Sequence, residues 1–328
     1  MNSFTDPAIL FFIFGLFAGL FKSNLEIPTQ ISRFLSLYLL MALGLKGGFA
    51  LAKTGFTADV LVSLGCAVLL AITIPLLAYQ VLRKFVSGFD AAAVAATYGS
   101  VSAVTFITAT QILDLKQIEY GGHMAAAMAL MESPAIIIAI VLANGLRRKQ
   151  MGSDVGGGAI NTLSETRLSV RKLLHESFTD GAQLLLLGSL LIGIVSGEAG
   201  QIVMRPFSVD LFKGLLAFFL LDMGLLAAKN IPGLLRQSAL VFVFGIIAPL
   251  FHASLALGLA KLSGLSIGDT ILLMVLASSA SYIAVPAVVR YAIPEATPSL
   301  YVGLSLGLTF PLNLLFGIPL YVHLASAV

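Results

Sequence analysis

Apolar runs separated by short polar joints fill the chain, and ten of them are long enough to read as membrane-spanning helices. They lie at about 7–21, 31–52, 57–82, 90–112, 118–146, 178–198, 207–228, 236–262, 268–291 and 297–325. Several are long enough to tilt or to contain a break. One polar stretch of size intervenes, 147–176, with Gly152, Ser153, Asp154 and Gly156 to Gly158 among six basic residues. The pattern predicts an all-α, polytopic membrane protein: a five-helix repeat over 1–146, a cytoplasmic linker over 147–176, and a second, inverted five-helix repeat over 177–328.

The fourth span of each half is interrupted by small polar residues. The interruptions read Tyr98-Gly99-Ser100-Val101-Ser102-Ala103 and Ser278-Ser279-Ala280-Ser281-Tyr282. Backbone leaves a helix at membrane depth only where it lines a protein-enclosed cavity. Interrupted helices at matching places in duplicated halves therefore point to a transporter's binding site. Gly99 permits close approach, and Ser100, Ser102, Thr105, Ser278, Ser279 and Ser281 add hydroxyls. A helix restarting there presents N–H groups and a positive dipole end, which favours an anion. The competing reading is that Ser and Gly here merely allow tight helix packing.

Duplication is visible in the residues. Gly48-Phe49-Ala50-Leu51-Ala52-Lys53 resembles Gly224-Leu225-Leu226-Ala227-Ala228-Lys229 at an offset of 176. The two breaks align at 179, and Ser133-Pro134 aligns with Phe310-Pro311 at 177. Basic residues fix an orientation: with the linker inside, thirteen Lys and Arg face the cytoplasm and four face outward. Both termini are then extracytoplasmic. An odd number of spans per half gives the halves opposite topology, which is the inverted-repeat architecture.

Composition agrees: 58% of the residues are hydrophobic and 11% charged, where a soluble chain carries about 25% charged. Cys66 is the only cysteine, which removes an intrachain disulfide and any multi-cysteine metal site. No phosphate-binding loop, Gly-x-Ser-x-Gly or His-Glu-x-x-His is present, so neither an ATP-driven pump nor an enzyme is indicated, and no cofactor is called for beyond a bound Na+.

Several ionisable or amide residues fall at membrane depth. Glu132, before Ser133-Pro134, is a candidate to coordinate a cation, carry a proton or pair with a cation, and Asn313 sits at a comparable place in span ten. Lys46 and Asp222 occupy equivalent places in spans two and seven with opposite signs, so they are expected to form a scaffold ion pair. His123 and His252 stand alone and read as packing residues with satisfied rings.

Certain stretches resemble the sodium-dependent bicarbonate transporter family of cyanobacterial type. They are Glu132-Ser133-Pro134-Ala135 with Val141-Leu142-Ala143-Asn144, the region from Ala277 to Pro294, and the proline and glycine placement from Pro298 through Tyr301 and Gly303 to Gly317 and Pro319. The resemblance implies sodium-driven import of bicarbonate across the inner membrane by alternating access where broken helices four and nine cross. It implies a homotrimer and, for some members, a cytoplasmic PII-type regulator. It carries the ligand role onto Gly99, Ser100, Ser102, Thr105, Ser279, Ser281 and Glu132. The chain departs from the family pattern Ser-Ser-Asp-x-Ser-Gly-Pro in span nine, where Tyr282 replaces the acid and Ala284 a hydroxyl. Proton-coupled or uncoupled transport of another small anion stays open, as does a receptor or scaffold that binds without transporting. Nucleic acid is not an expected partner.

Overall fold

Every described element is helical, and seven helical stretches are long and apolar enough to cross a membrane. The fold is that of a computed structural model, which describes residues 6–55, 57–152, 181–235 and 237–327. In chain order the helices are α1 (Pro7–Leu20), α2 (Thr29–Thr54), α3 (Ala58–Leu82), α4 (Gly88–Gly99), α5 (Ala103–Lys116), α6 (Met124–Gly152) and α7 (Gly181–Arg205). Then come α8 (Phe212–Leu234), α9 (Ala239–Leu262), α10 (Ile267–Ser278), α11 (Ala284–Ala292) and α12 (Pro298–Ala327).

Local chemistry sets the boundaries. Asp6 caps α1, accepting from Ala8 N–H, with Pro7 in the first helical position. Gly55, at φ 73°, ends α2. Gly197, at φ 53°, kinks α7 near the end of its apolar run, and the chain reaches α8 through a π-helical turn at Pro206–Asp210. Further π-helical turns at Gly303–Thr309 and Asn313–Gly317 interrupt α12 on either side of Pro311.

Two helix pairs form one packing unit, α1 against α8 and α2 against α7. Both are glycine crossings. A Cβ on Gly48 would stand 2.2 Å from the Leu190 carbonyl oxygen, and one on Gly224 would stand 2.3 Å from that of Phe12. Close approach of this kind replaces the hydrophobic drive that lipid does not supply. Gly44 meets Leu186 and Gly48 meets Leu190, so α2 and α7 run parallel. Gly15 meets Leu221 and Gly19 meets Leu225, so α1 and α8 also run parallel. A second unit groups α3, α4 and α6 with one another, and α10 with α9, α5 and α12.

The two halves repeat a detail at the capping level. Ser87 caps α4, accepting from Asp90 N–H at 3.0 Å, and the Asp90 carboxylate accepts from Thr297 N–H at 2.7 Å. Ser266 caps α10, accepting from Asp269 N–H at 3.2 Å, and Asp269 accepts from Gly121 N–H at 2.7 Å.

One boundary moves. Helix α6 continues through Arg147 to Gly152, past the expected start of the linker at 147. Arg147 holds this end in place: it donates to both Glu295 carboxylate oxygens (2.8 and 2.7 Å), to the Ala292 carbonyl and to Asn144. The rest of the expected linker, from 153 onward, lies outside the described residues.

Candidate functional site

The backbone leaves helix at both interruptions. Helix α4 stops at Gly99, Ser100 and Val101 are not helical, and α5 starts at Ala103. Helix α10 stops at Ser278, and α11 starts at Ala284. The two interruptions cross and are bonded to each other. Ser281 N–H donates to the Thr97 carbonyl at 2.8 Å, and Ser102 N–H donates to Ser279 Oγ at 3.0 Å. Ser279 Oγ in turn donates to the Leu276 carbonyl at 2.9 Å, so one hydroxyl bridges both chain ends. All five serines of the two interruptions and Thr97 are buried.

A cavity of about 80 Å³ opens beside this crossing. Ser102, Ser281, Tyr282 and Glu132 line it, with Ser36 from α2. Drug-sized ligands occupy about 300–1,000 Å³, so this space suits an ion of a few atoms. Hydroxyl protons point the chemistry towards an anion. Ser102 Oγ accepts from both Thr105 N–H (3.2 Å) and Thr105 Oγ1 (2.9 Å). Ser281 Oγ accepts from Val285 N–H at 3.3 Å. Tyr282 OH is buried without a hydrogen-bond partner. Each retains its own O–H as a donor.

The family model for the Na+-dependent bicarbonate transporter superfamily matches residues 7–326. The chain belongs to that superfamily. No match to a curated protein was found. Membership in this transporter superfamily accords with a multi-pass membrane protein and with a small anion and sodium as its substrates.

The other expected site residues do not line this cavity. Gly99 packs on the Pro75 ring, where a Cβ would stand 2.7 Å away. Thr105 serves the cap at Ser102. Ser278 Oγ donates back to the Val275 carbonyl at 3.2 Å, within its own helix. Asn313 Nδ2 donates to the Ser278 carbonyl at 2.8 Å, and Asn313 Oδ1 accepts from Tyr321 OH at 2.9 Å. Asn313 thus ties α12 to the end of α10. Ser100 is fully buried, and its Oγ has no hydrogen-bond partner.

The expected Lys46–Asp222 pair is corrected. Lys46 Nζ bonds Asp114 Oδ2 at 2.6 Å, and Tyr120 OH donates to the same carboxylate at 3.1 Å. The apparent equivalence in sequence overlooked Asp114, because the apolar run of span four ends at 112 while α5 continues to Lys116. The pair borders a second cavity of about 580 Å³, lined also by Lys53, Glu119 and Phe106. The histidines also differ from expectation. His123 Nε2 lies 3.8 Å from Asp269 Oδ2 without a hydrogen bond, and His252 Nδ1 is buried with no partner. Ser36 was missed; the signal was Ser32 and Ser36, one turn apart on the same face of α2.

Proposed function

We propose that the chain is a secondary transporter that imports a small anion, bicarbonate first, coupled to sodium, by alternating access at the crossing. The observation that carries this reading is the bonded pair of interruptions beside a small cavity in which Ser102, Ser281 and Tyr282 each retain a donor proton. Glu132 lines the same cavity and adds a carboxylate to its wall.

The reading takes the chain as ten spans in a five-plus-five inverted repeat, with α4–α5 and α10–α11 as discontinuous spans four and nine. Parallel packing supports it. Equivalent helices of inverted repeats run in opposite directions, so span one lies parallel to span seven, and span two to span six. Helices α1 with α8 and α2 with α7 run in this way. The repeated Asp90–Thr297 and Asp269–Gly121 hydrogen bonds support it again. Alternating access then moves the unit that holds the crossing against the α1, α2, α7, α8 unit. Ser36 and Ala182 lie near the starts of the parallel α2 and α7, so the small cavity sits towards that end, which the charge bias assigns to the cytoplasm. Lys46–Asp114 joins the two units nearer the opposite end. An inner-membrane location with outward termini, a trimer and a PII-type partner are proposed on sequence and resemblance alone.

The test is uptake of labelled bicarbonate into proteoliposomes with sodium or choline outside. Sodium should accelerate uptake; equal uptake in choline would end the sodium claim. Proton coupling is the second reading. One observation favours it: the carbonyls of Leu276 and Ser278, at the end of α10, already accept from Ser279 and Asn313, so two natural sodium ligands are occupied. Uptake that follows pH and ignores sodium would select it.

A further inference from the structure

Once Lys46 is assigned to Asp114, Asp222 is left in the middle of α8 at 5% exposure. Its Oδ2 has no hydrogen-bond partner, and none of the ion pairs among the described residues includes it. A buried carboxylate without a counter-charge costs several kcal/mol in its ionised form. Such a group inside a membrane span is a functional-site hypothesis by default.

Its neighbours place it against the candidate site. The carboxylate interacts with Ser32 on α2, and Ser36, one turn further along the same face, lines the small cavity. Its charge also reaches the Tyr282 phenol, which lines that cavity beside Ser102. Tyr282 tilts on the Phe310 ring at 5.2 Å, and Phe310 meets Phe12 of α1 edge-on at 5.4 Å, so the second interruption packs through these rings onto the paired-helix unit. The titratable groups facing the carboxylate are Tyr282 from the interruption and Lys229, two turns along α8 and exposed. Asp222 therefore stands on the paired-helix unit and faces donors held by the other unit.

We propose that Asp222 carries the coupling charge: a monovalent cation, H+ or Na+, neutralises it when an anion occupies the cavity. This rests on the transport reading. An anion in the cavity and the ionised Asp222 carboxylate repel each other, so an anion binds more tightly once Asp222 is neutral. The cation then lies between the two units whose relative motion exposes the site, which links its release to that motion.

The experiment measures anion binding by thermal stabilisation of the detergent-solubilised chain, since a ligand of the folded state raises the unfolding temperature by mass action. Bicarbonate is titrated at fixed pH with sodium or choline, and nitrate, which does not titrate, is used across pH without sodium. In the wild type at least one arm should show a tenfold gain in anion affinity, and the responding arm names the cation. In Asp222→Asn the anion should still bind, with that dependence below twofold. A tenfold dependence retained in Asp222→Asn overturns the proposal. Tyr282→Phe covers the case in which Asp222→Asn fails to fold: it should shift the midpoint of the cation titration at least threefold, and an unmoved midpoint overturns the proposal. If no anion stabilises the wild type, the transport reading falls and takes this inference with it. A retained dependence in Asp222→Asn removes this inference alone.

Discussion

Ser278 and Ser279 are adjacent, both essentially fully buried, and both lie at the end of α10, yet truncating them to alanine should have different consequences. Ser279 Oγ accepts from Ser102 N–H at 3.0 Å and donates to the Leu276 carbonyl at 2.9 Å. Ser279→Ala removes the acceptor and leaves the Ser102 amide buried without a partner. An orphaned buried donor costs about 1–3 kcal/mol. Where an equilibrium requires the crossing to be intact, that is about 5- to 150-fold. Ser278 Oγ only bonds back to the Val275 carbonyl at 3.2 Å within its own helix. That carbonyl also accepts from Ser279 N–H at 3.0 Å, so Ser278→Ala orphans nothing there and should cost well under 1 kcal/mol. Thermal unfolding in detergent and bicarbonate titration on both variants read the difference. Ser279→Ala should lower both the unfolding temperature and the anion affinity, while Ser278→Ala should resemble the wild type. Equal losses in the two variants would refute the bridging role of Ser279 and, with it, the claim that the interruptions hold each other.

Three further outcomes follow from the packing and the charges. Gly48→Leu should abolish folded yield, because its side chain would meet the Leu190 backbone, whereas Gly188→Ala, with no atom within 4 Å of its Cβ, should express normally; fluorescence-detected size exclusion separates them. Asp114→Asn should change stability by less than about 1 kcal/mol, since the Lys46–Asp114 pair is partly exposed, at 25% and 37%. It should nevertheless speed thiol labelling of Ala125→Cys, made in a Cys66→Ser background, if this pair holds the larger cavity closed. Acid should destabilise the chain in two stages. Burial holds the His123 imidazole below its ordinary value, against the opposing pull of Asp269 and Asp59, so the unfolded chain binds its proton first and stability falls as pH drops below about 6.5. The Arg147 guanidinium holds Glu295 below the usual carboxylate range, so its contribution is present above about 4.3 and is lost as pH falls further. His123→Gln should shrink the first stage in a pH series of unfolding temperatures; a first stage of undiminished size would refute the assignment.

The sequence by itself determined the helical, membrane-spanning class, because twenty-residue apolar runs have few other folded fates. It also pointed to both interruptions, since clustered Gly and Ser let backbone leave a helix, which membrane depth tolerates only beside a protein-enclosed cavity. The caps at Ser87 and Ser266 lie 179 positions apart, the same offset at which the two interruptions align. What the residues could not give was partnership. Lys46 and Asp222 looked paired because they are equivalent in the repeat, but equivalence under a symmetry axis does not bring two side chains together. Only the way α5 extends beyond its apolar run puts Asp114 in reach of Lys46. In the same way, nothing local distinguishes Ser279, which bridges two helices, from Ser278, which bonds its own. Periodicity and composition act along the chain and are readable from it. Ion pairs and bridging hydrogen bonds depend on contacts between residues 68 to 177 positions apart, and these are decided only when the helices pack.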